Sequence, residues 1–217
     1  MKDYFQFPNH SPAYAVIWMH GLGASSEDMQ GLVTLMDLQE VFVRHVFLDA
    51  PKRPVSINNG MVMPAWYDIT GLDLSNRDDV VGLEASRVLI DKVVKTLVDS
   101  GFSMNQIILA GFSQGAAMAL YSALHYAQSF AGVVALSGYL PAPPPNPTLP
   151  RETPFFLGYG RYDAVVMPAW TQATVQRLQQ YDYQQIVVES YPMEHSVCSE
   201  ELQSLSQWIK ALAGEKK

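Results

Sequence analysis

Short apolar runs alternate with amphipathic stretches along most of this chain. Ala13–Met19 (AYAVIWM) is β-branched and aromatic, with loop residues on both sides, and predicts a buried strand. Val41–Leu48 repeats the pattern, and Gln106–Phe112, Gly132–Ser137, Pro154–Tyr159 and Gln184–Tyr191 predict further strands. Between them, apolar positions return at helical spacing. The longest such stretch is Asp78–Ser100, where Val80, Val81, Leu83, Val88, Leu89, Val93, Val94, Leu97 and Val98 recur at helical spacing and Gly101 stands where a helix-ending glycine belongs. Ser25–Gln39 predicts a helix capped by Ser25 or Ser26, with Glu27 and Asp28 at the positive end of its dipole. Gln114–Ala127, Val166–Tyr181 and Ser199–Leu212 complete the helices, the last with Leu202, Leu205, Trp208, Ile209 and Leu212 on one face.

Strands alternating with helices predict an α/β fold, a mostly parallel sheet with helices on both faces. The near-continuous apolar strands agree, because both faces of such a strand are covered. No repeat or linker interrupts the pattern, so one domain is expected over residues 1–217. Two stretches escape the alternation: Pro51–Asn76, broken by Pro51, Pro54, Gly60 and Pro64, and the proline cluster Pro141–Pro150. A loop as long as the first, in a compact domain, points either to function or to regular structure that the pattern does not reveal. Sheets of this kind carry their chemistry in loops beyond the carboxyl ends of the strands.

Composition narrows the function. Hydrophobic residues make up 48% of the 217 positions and charged residues 16%, which excludes a solvated disordered polymer. Lys+Arg 14 against Asp+Glu 21 gives a net charge of −7. That balance excludes nucleic acid as a partner and disfavours tight attraction to anionic membranes. The single cysteine, Cys198, forms no internal disulfide and no thiolate metal cluster, and no other metal-ligand spacing is present. The first residues lack the apolar core of a secretory leader, and no apolar stretch approaches the ~18 residues of a membrane span. A cytoplasmic location and no stable membrane insertion are therefore expected.

The candidate chemistry begins at Gly111-Phe112-Ser113-Gln114-Gly115, set between a predicted strand and a predicted helix. G-x-S-x-G in that context lifts a serine above the sheet on a sharp turn, with the glycines relieving the crowding. A serine hydroxyl is a poor nucleophile until a base, oriented by a third group, takes its proton. Two histidines follow Ser113. At ~1.5 Å per residue, the twelve steps of helix to His125 put it ~18 Å away, out of reach. His195 follows the last predicted strand at the correct sheet edge and is the expected base. Of the acids between Ser113 and His195, Glu152 and Asp182 fall at the opposite edge, Glu189 lies within a strand and Glu194 adjoins the histidine. Asp163 follows a strand at the same edge as Ser113 and is the expected third group. Oxyanion donors are expected at the N–H of Gln114 and, through the turn His20-Gly21-Leu22-Gly23, at the N–H of Leu22. His20 itself reads as a structural hydrogen-bonding residue.

With these parts assembled, the chain resembles the phospholipase/carboxylesterase family of α/β-hydrolases, which includes the acyl-protein thioesterases. The resemblance is carried by HGLGAS at 20–25, DAPKRPVSINNGMVMPAWYDI at 49–69, LAGFSQGAAMAL at 109–120, ALSGYLP at 135–141, GRYDAVV at 160–166 and MEHSVC at 193–198. It implies the same triad and oxyanion donors. It further implies that the 51–76 segment walls an apolar acyl groove lined by Trp66, Ile69, Leu72 and, beside the acid, Val165, although Trp66 reads equally as plain core packing. One departure is Tyr159-Gly160, where family members often carry His-Gly; another is the proline-rich 141–150 loop. The implied activity is hydrolysis of carboxylic esters or thioesters through an acyl-enzyme, without a cofactor. Substrates of that kind include lipidated proteins and lysophospholipids. Alternatives are a lysophospholipase or lipase preferring long chains, and a non-catalytic acyl-binding module. An exposed apolar groove rim would also suit a homodimer.

Overall fold

The computed structural model describes residues 2–5, 12–38, 41–71 and 79–214. Seven strands form one sheet: β1 (Lys2–Phe5), β2 (Tyr14–Met19), β3 (Val43–Leu48), β6 (Ile107–Phe112), β7 (Gly132–Leu136), β8 (Phe155–Gly160) and β9 (Ile186–Tyr191), in the order β1-β3-β2-β6-β7-β8-β9. β1 runs antiparallel to β3, and every other pairing in this sheet is parallel. The expected mostly parallel α/β architecture is therefore what forms. Lys2–Phe5, too short to show a period of two, adds an edge strand that the apolar pattern does not mark.

Side-chain alternation divides the core into two layers. Ala15, Ile17 and Met19 of β2 face a layer that holds Leu83, Ile90, Val94 and Leu97 of α2 (Val80–Asp99), all of α3 (Gln114–Ala123) except its polar positions, and Leu178 of α4 (Pro168–Gln180). Tyr14, Val16 and Trp18 face the other layer, with Met29 and Val33 of α1 (Ser26–Val33) and Leu202, Leu205 and Ile209 of α5 (Ser199–Gly214). Every residue of α3 is buried, which suits its small alanines packed against the central strands. No helix among the described residues is long and apolar enough to cross a membrane.

Two helices are shorter than their periodicity suggests. The helix expected over Ser25–Gln39 stops at Val33, where Gly31, Val33 and Thr34 are poor helix formers and the Thr34 hydroxyl donates to the Gly31 carbonyl. The helix expected to reach Ala127 stops at Ala123, because the Leu124 carbonyl that a further turn would use accepts instead from the N–H of Thr148. The irregular 51–76 segment contains a small antiparallel pair, β4 (Lys52–Val55) and β5 (Met61–Pro64). Its turn passes through Asn59 and Gly60 at φ 55° and 75°, the left-handed region that asparagine and glycine tolerate best.

Candidate active site

Ser113 closes β6 and opens α3 with φ 55° and ψ −118°, a strained conformation for a residue with a side chain. Its two flanking glycines explain how the turn fits. A Cβ on Gly111 would lie 2.3 Å from the backbone of Gly115, and a Cβ on Gly115 would lie 2.1 Å from the Met19 carbonyl oxygen at the end of β2. The elbow is thus wedged between its own helix and the neighbouring strand. The N–H of Ser113 donates to the Leu136 carbonyl at the end of β7, which fixes the height of the turn.

The structure brings the three expected side chains together. The Ser113 hydroxyl lies 2.9 Å from Nε2 of His195, and Nδ1 of His195 lies 2.7 Å from Oδ2 of Asp163. A carboxylate only accepts, so Nδ1 carries the proton and Nε2 is left to accept from the serine. The other carboxylate oxygen, Oδ1 of Asp163, accepts from the N–H groups of Val165 and Val166, each at 2.8 Å. Those two donors fix the acid beside the imidazole, and the Asp163 side chain is fully buried. The two loops are tied to each other by backbone bonds from Arg161 to Tyr191 and from Tyr162 to Met193. Gly160 makes that approach possible, since a Cβ there would lie 2.4 Å from the carbonyls of Met193 and Glu194. The Tyr159 hydroxyl points toward α4 and accepts from Gln172 at 3.5 Å, and the bonds holding Asp163 do not involve it. The Phe112 ring packs against His195 with centroids 4.9 Å apart.

A hydrogen-bonded frame surrounds the turn at residues 20–23. His20 is buried; Nε2 accepts from the N–H of Ala50 at 3.0 Å, so Nδ1 carries the proton and donates to the Gly21 carbonyl at 2.7 Å. Burial holds its pKa below the ordinary histidine value and keeps the ring neutral. Gly23 adopts φ 76°, and a Cβ on Gly21 would meet the Phe112 ring at 3.3 Å, so both positions call for glycine.

Of the two readings of Trp66, its position fits packing within this frame, and it is not among the residues lining the cavity over Ser113. It is 1% exposed, its indole N–H donates to the His20 carbonyl at 2.8 Å, and its carbonyl accepts from Ser86. Its backbone N–H donates to Oε1 of Gln114 at 2.9 Å, while Nε2 of Gln114 donates to the Tyr67 carbonyl at 2.8 Å. The Gln114 side chain thereby clamps the 65–67 segment to the start of α3, a role that its backbone position did not announce.

A cavity of about 270 Å³ opens over Ser113. Of the residues named for the groove, Ile69 and Val165 line it and Leu72 lies outside the described residues; Leu22 and Gln114, named as oxyanion donors, border it too. Tyr67 and Tyr139, whose hydroxyls bond each other at 2.7 Å, line it too. Both fall in the motifs AWYDI and LSGYLP, which was the available signal for them.

Behind the histidine loop, α5 buries Glu201 completely. Its carboxyl presses on the backbone of β8 at Gly158, where a Cβ would lie 2.0 Å from Oε1. Among the described residues, neither carboxyl oxygen has a hydrogen-bond partner. Burial, with the nearby Glu189 charge added, raises its pKa from 4.5 to about 8, so the carboxyl is held neutral at pH 7.

A nucleophile elbow above a mostly parallel sheet, with a serine, a histidine and a buried aspartate in one hydrogen-bonded chain, defines a serine hydrolase of α/β-hydrolase fold. The family model described as phospholipase/carboxylesterase matches residues 5–213. An acyl-protein thioesterase 1 of Cryptococcus neoformans is 33% identical over 222 aligned residues, covering 93% of each chain, and one of Candida albicans is 33% identical, covering 90% of each. Among solved structures, Arabidopsis thaliana SOBER1 is 26% identical with a TM-score of 0.85, covering 92% of this chain and 99% of its own. Zea mays acyl-protein thioesterase 2 is 25% identical with a TM-score of 0.82, covering 97% of this chain and 98% of its own. The chain belongs to the phospholipase/carboxylesterase family, and it is a hydrolase of carboxylic esters or thioesters.

Proposed function

We propose that Ser113 is the catalytic nucleophile, His195 the general base and acid, and Asp163 the group that orients the imidazole. The observation that carries this reading is the chain of bonds at 2.9 and 2.7 Å from serine through histidine to aspartate. Ser113 attacks the acyl carbonyl while His195 takes its proton. The N–H groups of Leu22 and Gln114, beside the serine in the same cavity, hold the oxyanion. His195 returns the proton to the departing alcohol or thiol as the carbonyl–heteroatom bond breaks. Water, activated by the same histidine, then releases the acid from Ser113.

The acyl chain occupies the cavity lined by Ile69, Val165, Tyr67 and Tyr139, within one α/β-hydrolase domain over residues 1–217. The acyl-protein thioesterase names of the relatives support thioesters of acylated proteins as the substrate class, and a cytoplasmic location is the compartment proposed for that activity. A fluorescent serine-directed phosphonate tests the assignment: it should label the protein once and fail to label Ser113→Ala. Labelling that persists in Ser113→Ala would overturn it. Comparing palmitoylated peptides with short oxyesters tests the substrate class, and equal or better kcat/KM on the oxyesters would count against the thioester reading.

A further inference from the structure

A second hollow, about 450 Å³, meets the catalytic centre on the α1 side. It shares Gly21, Ala24, Phe112 and His195 with the cavity over Ser113, but neither Ser113 nor Gln114 lines it. Its own walls are the apolar Met29, Leu32, Leu35, Val197 and Leu202, together with His20, Asp28 and Ser196. The two hollows also belong to different layers of the molecule. Tyr67, Ile69 and Tyr139 pack in the α2–α4 layer, whereas Met29, Leu32, Val197 and Leu202 pack in the α1–α5 layer. His195 stands where the two meet.

An ester or thioester has two arms, and the reaction sorts them. The carbonyl carbon must reach Ser113 Oγ with its oxygen at the Leu22 and Gln114 N–H groups, so the acyl arm follows the cavity those residues line. The leaving oxygen or sulfur must face His195 Nε2, which delivers its proton, so the other arm passes His195. The hollow bounded by His195, Ser196 and Val197 is the one on that path. Its walls also state what chemistry they accept. They hold no lysine or arginine to meet an anionic group, and their one carboxylate, Asp28, already accepts from the N–H and hydroxyl of Ser25. Leu35, just past the end of α1, is 74% exposed at the rim, an apolar surface that the fold itself leaves uncovered.

We infer that this hollow is the leaving-group subsite, and that Leu32, Leu35 and Val197 select uncharged alcohols and thiols with an apolar body. The inference rests on the triad reading above. Because one acyl group gives one acyl-enzyme whatever alcohol departs, the selection appears in kcat/KM for acylation. With butyrate as the fixed acyl group, lengthening the alcohol from methyl to hexyl should raise kcat/KM by about two- to fourfold for each methylene that enters the hollow. An ester of the same length ending in a carboxylate should be disfavoured by at least tenfold relative to hexyl butyrate.

The test measures the hexyl-to-methyl ratio of kcat/KM for butyrate esters in the wild type, Leu35→Glu and Leu32→Gln, with the monomer state followed by sedimentation. Both substitutions should lower the ratio about five- to tenfold, and Leu35→Lys should improve the carboxylate-ended ester. Ile69→Ala should instead change the ratio of methyl hexanoate to methyl butyrate. A ratio near one in the wild type, a ratio unmoved by both leucine variants, or Ile69→Ala controlling the alcohol series would overturn the inference. A dimer that Leu35→Glu dissociates without moving the ratio would do the same, assigning the surface to a second copy of the chain. None of these outcomes touches the triad, which fails separately if Ser113→Ala retains activity.

Discussion

Glu201 gives the protein a pH dependence opposite to that of an ordinary salt-bridged carboxylate. Its pKa stands near 4.5 in the unfolded chain and at about 8 in the folded one. Below pH 4.5 both states hold the proton and the group costs nothing electrostatically. Between the two values the unfolded state has released the proton while the folded state retains it, so stability falls as pH rises and levels off above pH 8. The full difference, at 1.36 kcal/mol per pKa unit, is about 5 kcal/mol, of which about 3 kcal/mol is lost between pH 5.5 and 8. That is a large fraction of the ~5–15 kcal/mol that holds a typical domain together. Glu201→Gln keeps the shape and removes the titration. Tyr191 and Cys198, both raised from ordinary values of 10.0 and 9.0, keep their protons over this range, so the comparison reports Glu201 in the field of Glu189. Urea unfolding of both proteins at pH 5.5, 7 and 8 should show the glutamine variant gaining on the wild type by roughly 2–3 kcal/mol across that range. Two curves that run parallel would refute the reasoning and mean that Glu201 ionises in the folded state without penalty.

Asp163→Asn should preserve the fold while lowering kcat on the order of 10⁴-fold, because an amide no longer demands the Nδ1–H form of His195; steady-state kinetics beside a circular dichroism spectrum check both halves. Gly115→Ala should destabilise the protein by at least ~1–3 kcal/mol and depress activity together, since its methyl group would collide with the Met19 carbonyl; thermal melts and esterase rates should fall in parallel. Gln114→Met removes both bonds of a buried clamp and should cost roughly 2–4 kcal/mol, read from urea midpoints, while the backbone N–H at that position is kept.

The parts of the site that one local segment determines were legible beforehand. G-F-S-Q-G between an apolar strand and an alanine-rich helix specifies its own turn, so Ser113 could be placed from five residues. Asp163 and His195 were legible for a different reason: each follows a strand, and a parallel sheet collects all such loops at one edge. Trp66 was not, because its large ring suits an acyl groove and a buried frame equally, and only the path of the 65–67 segment decides between them. Glu201 was hidden by a stronger local signal. An acid in the first turn of a helix is what the dipole favours in water, so nothing in its neighbourhood announced that this turn lies under β8. The N-terminal edge strand was missed because four residues cannot display a period.

The frame that ties Trp66 to His20 and Gln114 has a consequence for how each turnover begins. The turn carrying Leu22 and the helix start carrying Gln114 are braced against each other through the 65–67 segment, by the Trp66 indole on one side and by its backbone, held by the Gln114 side chain, on the other, before any substrate arrives. The ordering of those dipoles is therefore completed once, during folding, and is not repeated with every substrate molecule. Under the oxyanion role proposed for Leu22 and Gln114, charge that develops on the carbonyl oxygen meets donors already held in place, and the entropy of arranging them stays out of the activation barrier.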